Sequence, residues 1–208
     1  PVRVRSIHAQ NRPAESASAG QRCALNLAGV ATQDIERGNW IADPRLLAPS
    51  QRIDVRLQLL DDADVRLSQW SPLHVHIGTA HSITNVVPLD DEEFRPGQTA
   101  RVQFVFAAGM GAMPGDRFIV RNAQASRTVG GGVVLDPYAP SRKRRSPQRL
   151  AWLSSLEGML ADGNVAPLLQ HAPYGARTSE LTRLTGLPRE RVAFSSDVIA
   201  VDCALEGD

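Results

Sequence analysis

Apolar and polar positions alternate along the first two thirds of the chain, and a helical period replaces the alternation in the last third. Val2-Arg3-Val4-Arg5-Ser6-Ile7 alternates strictly, which predicts a half-buried strand. Ala24 to Leu27 and Trp40-Ile41-Ala42 are two further short strand candidates. Ile53, Val55, Leu57 and Leu59 then alternate with Asp54, Arg56 and Gln58. His74 to Ile77, Asn85 to Val87, Ala100 to Phe106, Arg117 to Arg121 and Gly132 to Leu135 continue the series. Turn signals recur between the strands at Ala19-Gly20-Gln21, Gly29, Arg37-Gly38-Asn39, Arg95-Pro96-Gly97, Met113-Pro114-Gly115-Asp116 and Val129 to Gly132. Short strands at this spacing predict closed barrels or sandwiches. The Pro-bounded stretch 43–50 reads as a linker between two β units.

The period changes after a second Pro-rich stretch, Asp136-Pro137-Tyr138-Ala139-Pro140, and a basic run, Arg142-Lys143-Arg144-Arg145. Leu150, Leu153, Leu156 and Leu160 have helical spacing, with Trp152 and Met159 beside them. Thr178 is placed to cap a helix carrying Leu181 and Leu184, Gly186 to end it, and Pro188 to open the next. With the apolar run 198–201 this reads as a winged helix whose wing is cut short at Asp208. The expected fold is mainly β with a C-terminal α/β module. It comprises a partial barrel over 1–48, a full barrel over 49–140, and a basic linker with a first winged helix over 141–208.

Composition narrows the classes. With 42% apolar and 22% charged residues and a net charge of +1, the 208-residue chain is not a disordered one. No apolar run approaches the roughly 18 residues that span a bilayer, so no membrane partner is expected. The chain opens at Pro1 inside an alternating pattern, without a signal peptide or initiator Met, as an excised fragment would. Cys23 and Cys203 are the only cysteines, which excludes a disulfide framework and a cysteine zinc site and makes a reducing compartment the default. The charge is segregated: residues 1–60 carry +3, 61–100 carry −5, 101–149 carry +7 and 150–208 carry −4. All but one of the 23 basic residues are Arg, which suits bidentate phosphate recognition but also follows from a GC-rich genome.

No strong catalytic motif is present: Walker A, GxSxG, HExxH and a GxGxxG opening a helix are all missing. Gly109-Met110-Gly111 and Gly130-Gly131-Gly132 read as turns. His74 and His76 lie two apart on a predicted strand and so share a face, with His81 five residues on. Three readings fit them: a metal site forming a β-barrel enzyme, ring contacts with nucleic acid, or structural histidines. Arg117, Arg121 and Arg127 bracket one hairpin-like segment and, with the basic linker, compose a candidate phosphate-binding stripe. The helical tail is acidic, which opposes a DNA-reading regulator and favours a spacer or protein-contact unit.

Several stretches carry a family resemblance. Arg3 to Asn11, Ala19 to Gly29 and Ile35 to Trp40 look like the second domain of a translational GTPase. Pro72 to Ala80, Pro114 to Arg121 and Arg127 to Val134 resemble the third domain of EF-Tu and of the bacterial selenocysteine-specific elongation factors of the SelB type. The linker and helical tail are similar to the start of the winged-helix array that only the SelB type carries. The resemblance implies a parent that delivers selenocysteinyl-tRNA to the ribosome in a GTP-dependent way. GTP and Mg²⁺ would belong to a G domain N-terminal to Pro1, leaving this chain no enzyme and no cofactor of its own. Carried onto this sequence, the family's selenocysteine-pocket Arg falls on Arg22, with His8 beside it. The tRNA-gripping positions fall on His76, His81 and Ser82 and on the Arg121 to Arg127 turn. The selenoprotein mRNA hairpin would be read by further winged helices, and the compartment would be the cytoplasm. Another EF-Tu-like GTPase remains the alternative within the class.

Overall fold

The computed structural model describes residues 2–43, 48–172, 176–187, 192 and 194. The chain forms two compact units, Pro1–Asn39 and Trp40–Asp208.

The first unit is a three-stranded antiparallel sheet, ordered β2 (Arg12–Ala14), β1 (Arg3–Ala9), β3 (Cys23–Ala28). Gln10 and Asn11, at φ 51° and 62°, link Ala9 to Arg12 in a two-residue hairpin of the kind that follows the strand twist. The short β2 escaped the sequence reading because three residues leave no period to count. The β1–β3 register shifts between Val4 and Ser6. The expectation of a half-buried first strand is corrected: Val2 and Val4 are 45% and 42% exposed, and no described residue up to Asn39 is buried. Alternation here does not translate into burial among the described residues of this unit.

The second unit centres on a closed six-stranded barrel in the order β10-β11-β4-β9-β7-β6. Its strands are β4 (Ser50–Leu59), β6 (Ser71–Ile77), β7 (Ala80–Pro88), β9 (Thr99–Met110), β10 (Arg117–Arg121) and β11 (Thr128–Asp136). Alternation puts Ile53, Val55, Leu57, Val75, Val102, Phe104 and Val120 inside, each fully buried. A two-stranded ribbon of β5 (Leu67–Ser68) and β8 (Glu93–Phe94) adds buried Leu67 and Phe94 to that core. Neither element is legible in the sequence, being too short to alternate.

Several expectations change. Trp40-Ile41-Ala42 forms no strand, and Trp40 and Ile41 are exposed. Gly130 to Gly132 is not a turn but the middle of β11, and Gly109 and Met110 close β9. A Cβ on Gly132 would lie within 1.9 Å of the Arg56 carbonyl oxygen, so the glycines answer to close strand approach. Asp90 follows β7 in an exposed bend. It accepts two bonds from the Arg101 guanidinium, whose Nη1 also donates to the Leu150 carbonyl and Ser154 Oγ of a helix.

That helix, α1 (Pro147–Asp162), is capped by Ser146 Oγ, starts on Pro147 and ends on left-handed Gly163. It buries Leu153, Leu156 and Met159 against Leu89 and Leu135 of the barrel side and against Val165, Leu168 and Val192. Each fully buried leucine contributes about 1.5–3 kcal/mol. The short α2 (Ala166–Leu169) and α3 (Thr178–Thr185) follow. Thr178 is the first residue of α3 rather than its cap: Arg177 takes the cap position, and its N–H donates to Glu180 Oε2. Gly186 ends α3 at φ 65°. The expected second helix from Pro188 through Arg189, Glu190 and Arg191, the 198–201 run and Cys203 lie outside the described residues, as do residues 44–47 of the first linker.

A buried polar network fastens α1 to the barrel. Arg149 donates through Nε and Nη2 to Asp54 Oδ2 (3.0 and 2.6 Å) and through Nη1 to Asp136 Oδ2 (2.8 Å). Gln103 Nε2 holds the other Asp54 oxygen at 2.8 Å. The basic run is partly absorbed in the same attachment, since Arg145 donates to the carbonyls of Pro88 and Asp91.

Candidate nucleic-acid interface

Strand register assembles an outward face from β6, β7 and β10. His76 pairs with His81 on one side and with Ile119 on the other. His74 pairs with Ile83 and with Arg121. Period-two geometry turns these six side chains outward, because their neighbours Val75, Ile77 and Val120 fill the core. The His76 and His81 rings stack, 5.6 Å between centroids and 19° between planes. Partial burial lowers the His76 pKa, and the nearby His81, Arg121 and His74 lower it further. His76 is therefore a neutral ring at pH 7, a flat platform beside a guanidinium. Its Nε2 and Arg121 Nε are shielded from solvent without a hydrogen-bond partner among the described residues. Ile83 and Ile119, 58% and 48% exposed, frame the rings with apolar surface. Sequence reasoning missed both isoleucines, although the parity set by His74 and His76 would have pointed to them once the strands were paired.

The structure separates some of the candidates. Ser82 pairs with core-facing Val75, on the opposite side of β7 from His81, and its Oγ donates to the Ile83 carbonyl. Arg127 sits on the 122–127 loop and donates to Asp62 Oδ2 at 2.6 Å. Asn122 organises that loop: its Oδ1 accepts from the Ser126 and Arg127 amides while its Nδ2 donates to Ser126 Oγ. His74 Nε2 lies 3.2 Å from the Ala123 carbonyl and ties β6 to the loop. The three histidines therefore do not converge on a metal. Among the described residues no group of three or more His, Cys, Asp or Glu is placed to hold one.

In the first unit, Arg22 directly precedes β3 after a turn in which Gly20 adopts φ 85° and the Gln21 side chain accepts from the Ser18 amide. The Arg22 carbonyl accepts from the Gln10 amide, extending the β1–β3 ladder. His8 pairs with Ala24, so His8 and Arg22 are diagonal neighbours on one face, both exposed.

The barrel places the chain in a known architectural class. The chain is similar to a crystal structure of a bacterial selenocysteine-specific elongation factor, EF-Sec, with a TM-score of 0.66, covering 89% of this chain and 28% of that one at 22% identity. Sequence comparison names the family more narrowly: residues 50–141 match the family described as the selenocysteine-specific elongation factor beta-barrel domain. The chain is 36% identical over 177 residues to the selenocysteine-specific elongation factor of Escherichia coli, and 31% identical over 186 residues to that of Desulfomicrobium baculatum. These alignments cover 85% and 89% of the chain but only 26% and 29% of the relatives. Residues 50–141 belong to the SelB beta-barrel family, and the likeness to selenocysteine-specific elongation factors extends over most of the chain.

Proposed function

We propose that the chain is the tRNA-holding part of a selenocysteine-specific elongation factor, whose parent delivers selenocysteinyl-tRNA to the ribosome at recoded UGA codons. The observation that carries the reading is the outward face of stacked His76 and His81 beside Arg121, within the stretch that matches the family. Stacked rings and exposed isoleucines suit ribose and base surfaces, and a guanidinium suits phosphate. Such contacts read the shape of the acceptor and T arms rather than a base sequence. Arg127 adds a second cation once a phosphate displaces Asp62. Ser82 contributes through its strand backbone at the same edge.

Arg22, with His8 next to it, supplies part of the selenocysteine pocket. A selenol is largely ionised at neutral pH, and a fixed cation favours selenolate over a serine hydroxyl. Replacing Arg22 with alanine in a full-length factor is expected to erode discrimination against seryl-tRNA while the fold stays intact, because the side chain is exposed. Unchanged discrimination in a competition binding assay removes Arg22 from the pocket.

GTP and Mg²⁺ belong to a separate G domain in this reading. No described glycine opens a helix as a phosphate loop does; Gly163 and Gly186 end helices, and Gly130 to Gly132 lie within a strand. The mRNA hairpin falls to further winged helices, and the factor works in the cytoplasm.

The deciding experiment titrates the chain with selenocysteine tRNA and with an elongator tRNA across a salt series. Salt-sensitive preference for the former supports the reading, whereas equal binding of both favours a general EF-Tu-like barrel. Arg121→Ala is expected to lower affinity and flatten the salt slope by about 0.7–0.9. Arg127→Ala is expected to do less, since Asp62 already competes for its guanidinium. An unaltered slope for Arg121→Ala takes that residue off the phosphate.

A further inference from the structure

A groove of about 660 Å³ runs over the outside of β11. Its floor is bare at Gly131, between Gln58 of β4 and Ile119 of β10, while Val133 lies between Arg56 of β4 and Arg117 of β10, with Thr99 on β9. Arg56 and Arg117 are exposed, and neither has a hydrogen-bond or ion-pair partner within 4.0 Å among the described residues. A smaller cavity of about 270 Å³ shares both arginines and Val133 and ends on α1, where Glu157 faces them. Glu157 is the one acid lining either cavity.

We propose that this groove binds a second stretch of RNA phosphodiester backbone, with Arg56 and Arg117 clasping phosphate from opposite walls. The proposal rests on the RNA reading above and extends it to residues outside the face of His76, His81 and Arg121. Three observations support it. Two guanidiniums on the strands flanking β11, neither in a hydrogen bond or ion pair within 4.0 Å, give a pair of donors whose one acidic neighbour in the cavities is Glu157 at the α1 end. The bare backbone at Gly131 lets a chain approach the sheet closely beside the apolar Val133, as a polymer backbone does and a compact ligand does not require. The groove is also continuous with the His76 face, because Arg117, Ile119 and Arg121 are alternate outward residues of one strand, about 13 Å from end to end. A single RNA path can therefore follow β10 from Arg121 to Arg117. The cation count favours nucleic acid over an acidic protein, which would bring carboxylates without the regular spacing of a phosphate chain.

The test compares the wild-type chain, Arg56→Gln/Arg117→Gln and Arg121→Gln for binding to a selenocysteine tRNA transcript across a potassium chloride series. The double variant is expected to bind at least about tenfold more weakly at low salt and to lose about 1.5 from the salt slope. Both side chains are exposed, so its thermal unfolding should match wild type. Wild-type affinity and slope in the double variant, with Arg121→Gln weakened, overturns the groove and leaves the tRNA-holding function standing. Absence of RNA binding by the wild-type chain overturns both. Competition by poly-glutamate as effective as RNA at equal charge, lost in the double variant, overturns the proposal and reassigns the groove to an acidic protein.

Discussion

Replacing Arg149 with methionine is expected to destabilise the barrel unit by about 3–5 kcal/mol at neutral pH, the usual consequence of removing one partner of a buried ion pair, and by clearly less near pH 5. The reason lies in Asp54, which is fully buried in β4. Burial pushes its pKa up to about 6, against the opposing pull of the Arg149 charge, its hydrogen bonds and the Gln103 amide. A carboxyl whose pKa is raised on folding favours the folded state in its protonated form. Its contribution is therefore full below the unfolded value of 3.8 and is lost as pH rises through about 6. Without Arg149 two of the influences that lower the Asp54 pKa vanish, so it rises further and the loss with pH becomes steeper and extends to higher pH. At pH 8 the variant must bury an unpaired carboxylate or protonate it against the solvent; at pH 5 the carboxyl is already largely neutral. Urea unfolding at the two pH values, followed by fluorescence, measures the difference. An equal loss at both would mean that the Arg149–Asp136 bond, not the Asp54 charge, governs the attachment of α1.

That network also marks where sequence reading stops. Alternation in β4 was legible because Ile53, Val55, Leu57 and Leu59 all enter one core. The same alternation assigned Asp54 to solvent. Only the packing of a helix 95 residues later, with Arg149 on its first turn, converts the outer face at Asp54 into an interior. The first unit fails in the opposite direction: its strands were legible and largely present, yet their apolar residues are not buried. The functional face was half legible. His74, His76 and Arg121 follow from strand parity, but their union requires knowing that β6 lies between β7 and β10. The side of β7 on which Ser82 falls follows from the same register and could not be read from its nearness to His81 in sequence.

The second large effect is expected at Gly132, where alanine should cost more than about 3 kcal/mol, beyond the ordinary range for overpacking. The added Cβ would lie 1.9 Å from the Arg56 carbonyl oxygen and 2.9 Å from Phe118 Cζ. Neither neighbour can give way. Arg56 is backbone-locked between fully buried Val55 and Leu57, and Phe118 packs edge-to-face on Phe104 with centroids 5.2 Å apart. In an open sheet β11 could slide outward, but here both its edges are bonded, to β4 and to β10, and the barrel is closed. The glycine is required by space and not by an unusual φ, which is why a run of three glycines reads as a turn in sequence and is a strand in the fold. Gly158→Ala is the matched control. That glycine lies inside α1 with nothing within 4 Å of its missing Cβ, so alanine should stabilise by about 0.5–1 kcal/mol. Opposite signs for the same chemical change, read as urea midpoints, would separate close strand approach from intrinsic propensity. A Gly132→Ala protein within about 1 kcal/mol of wild type would show that the barrel can expand by the size of a methyl group.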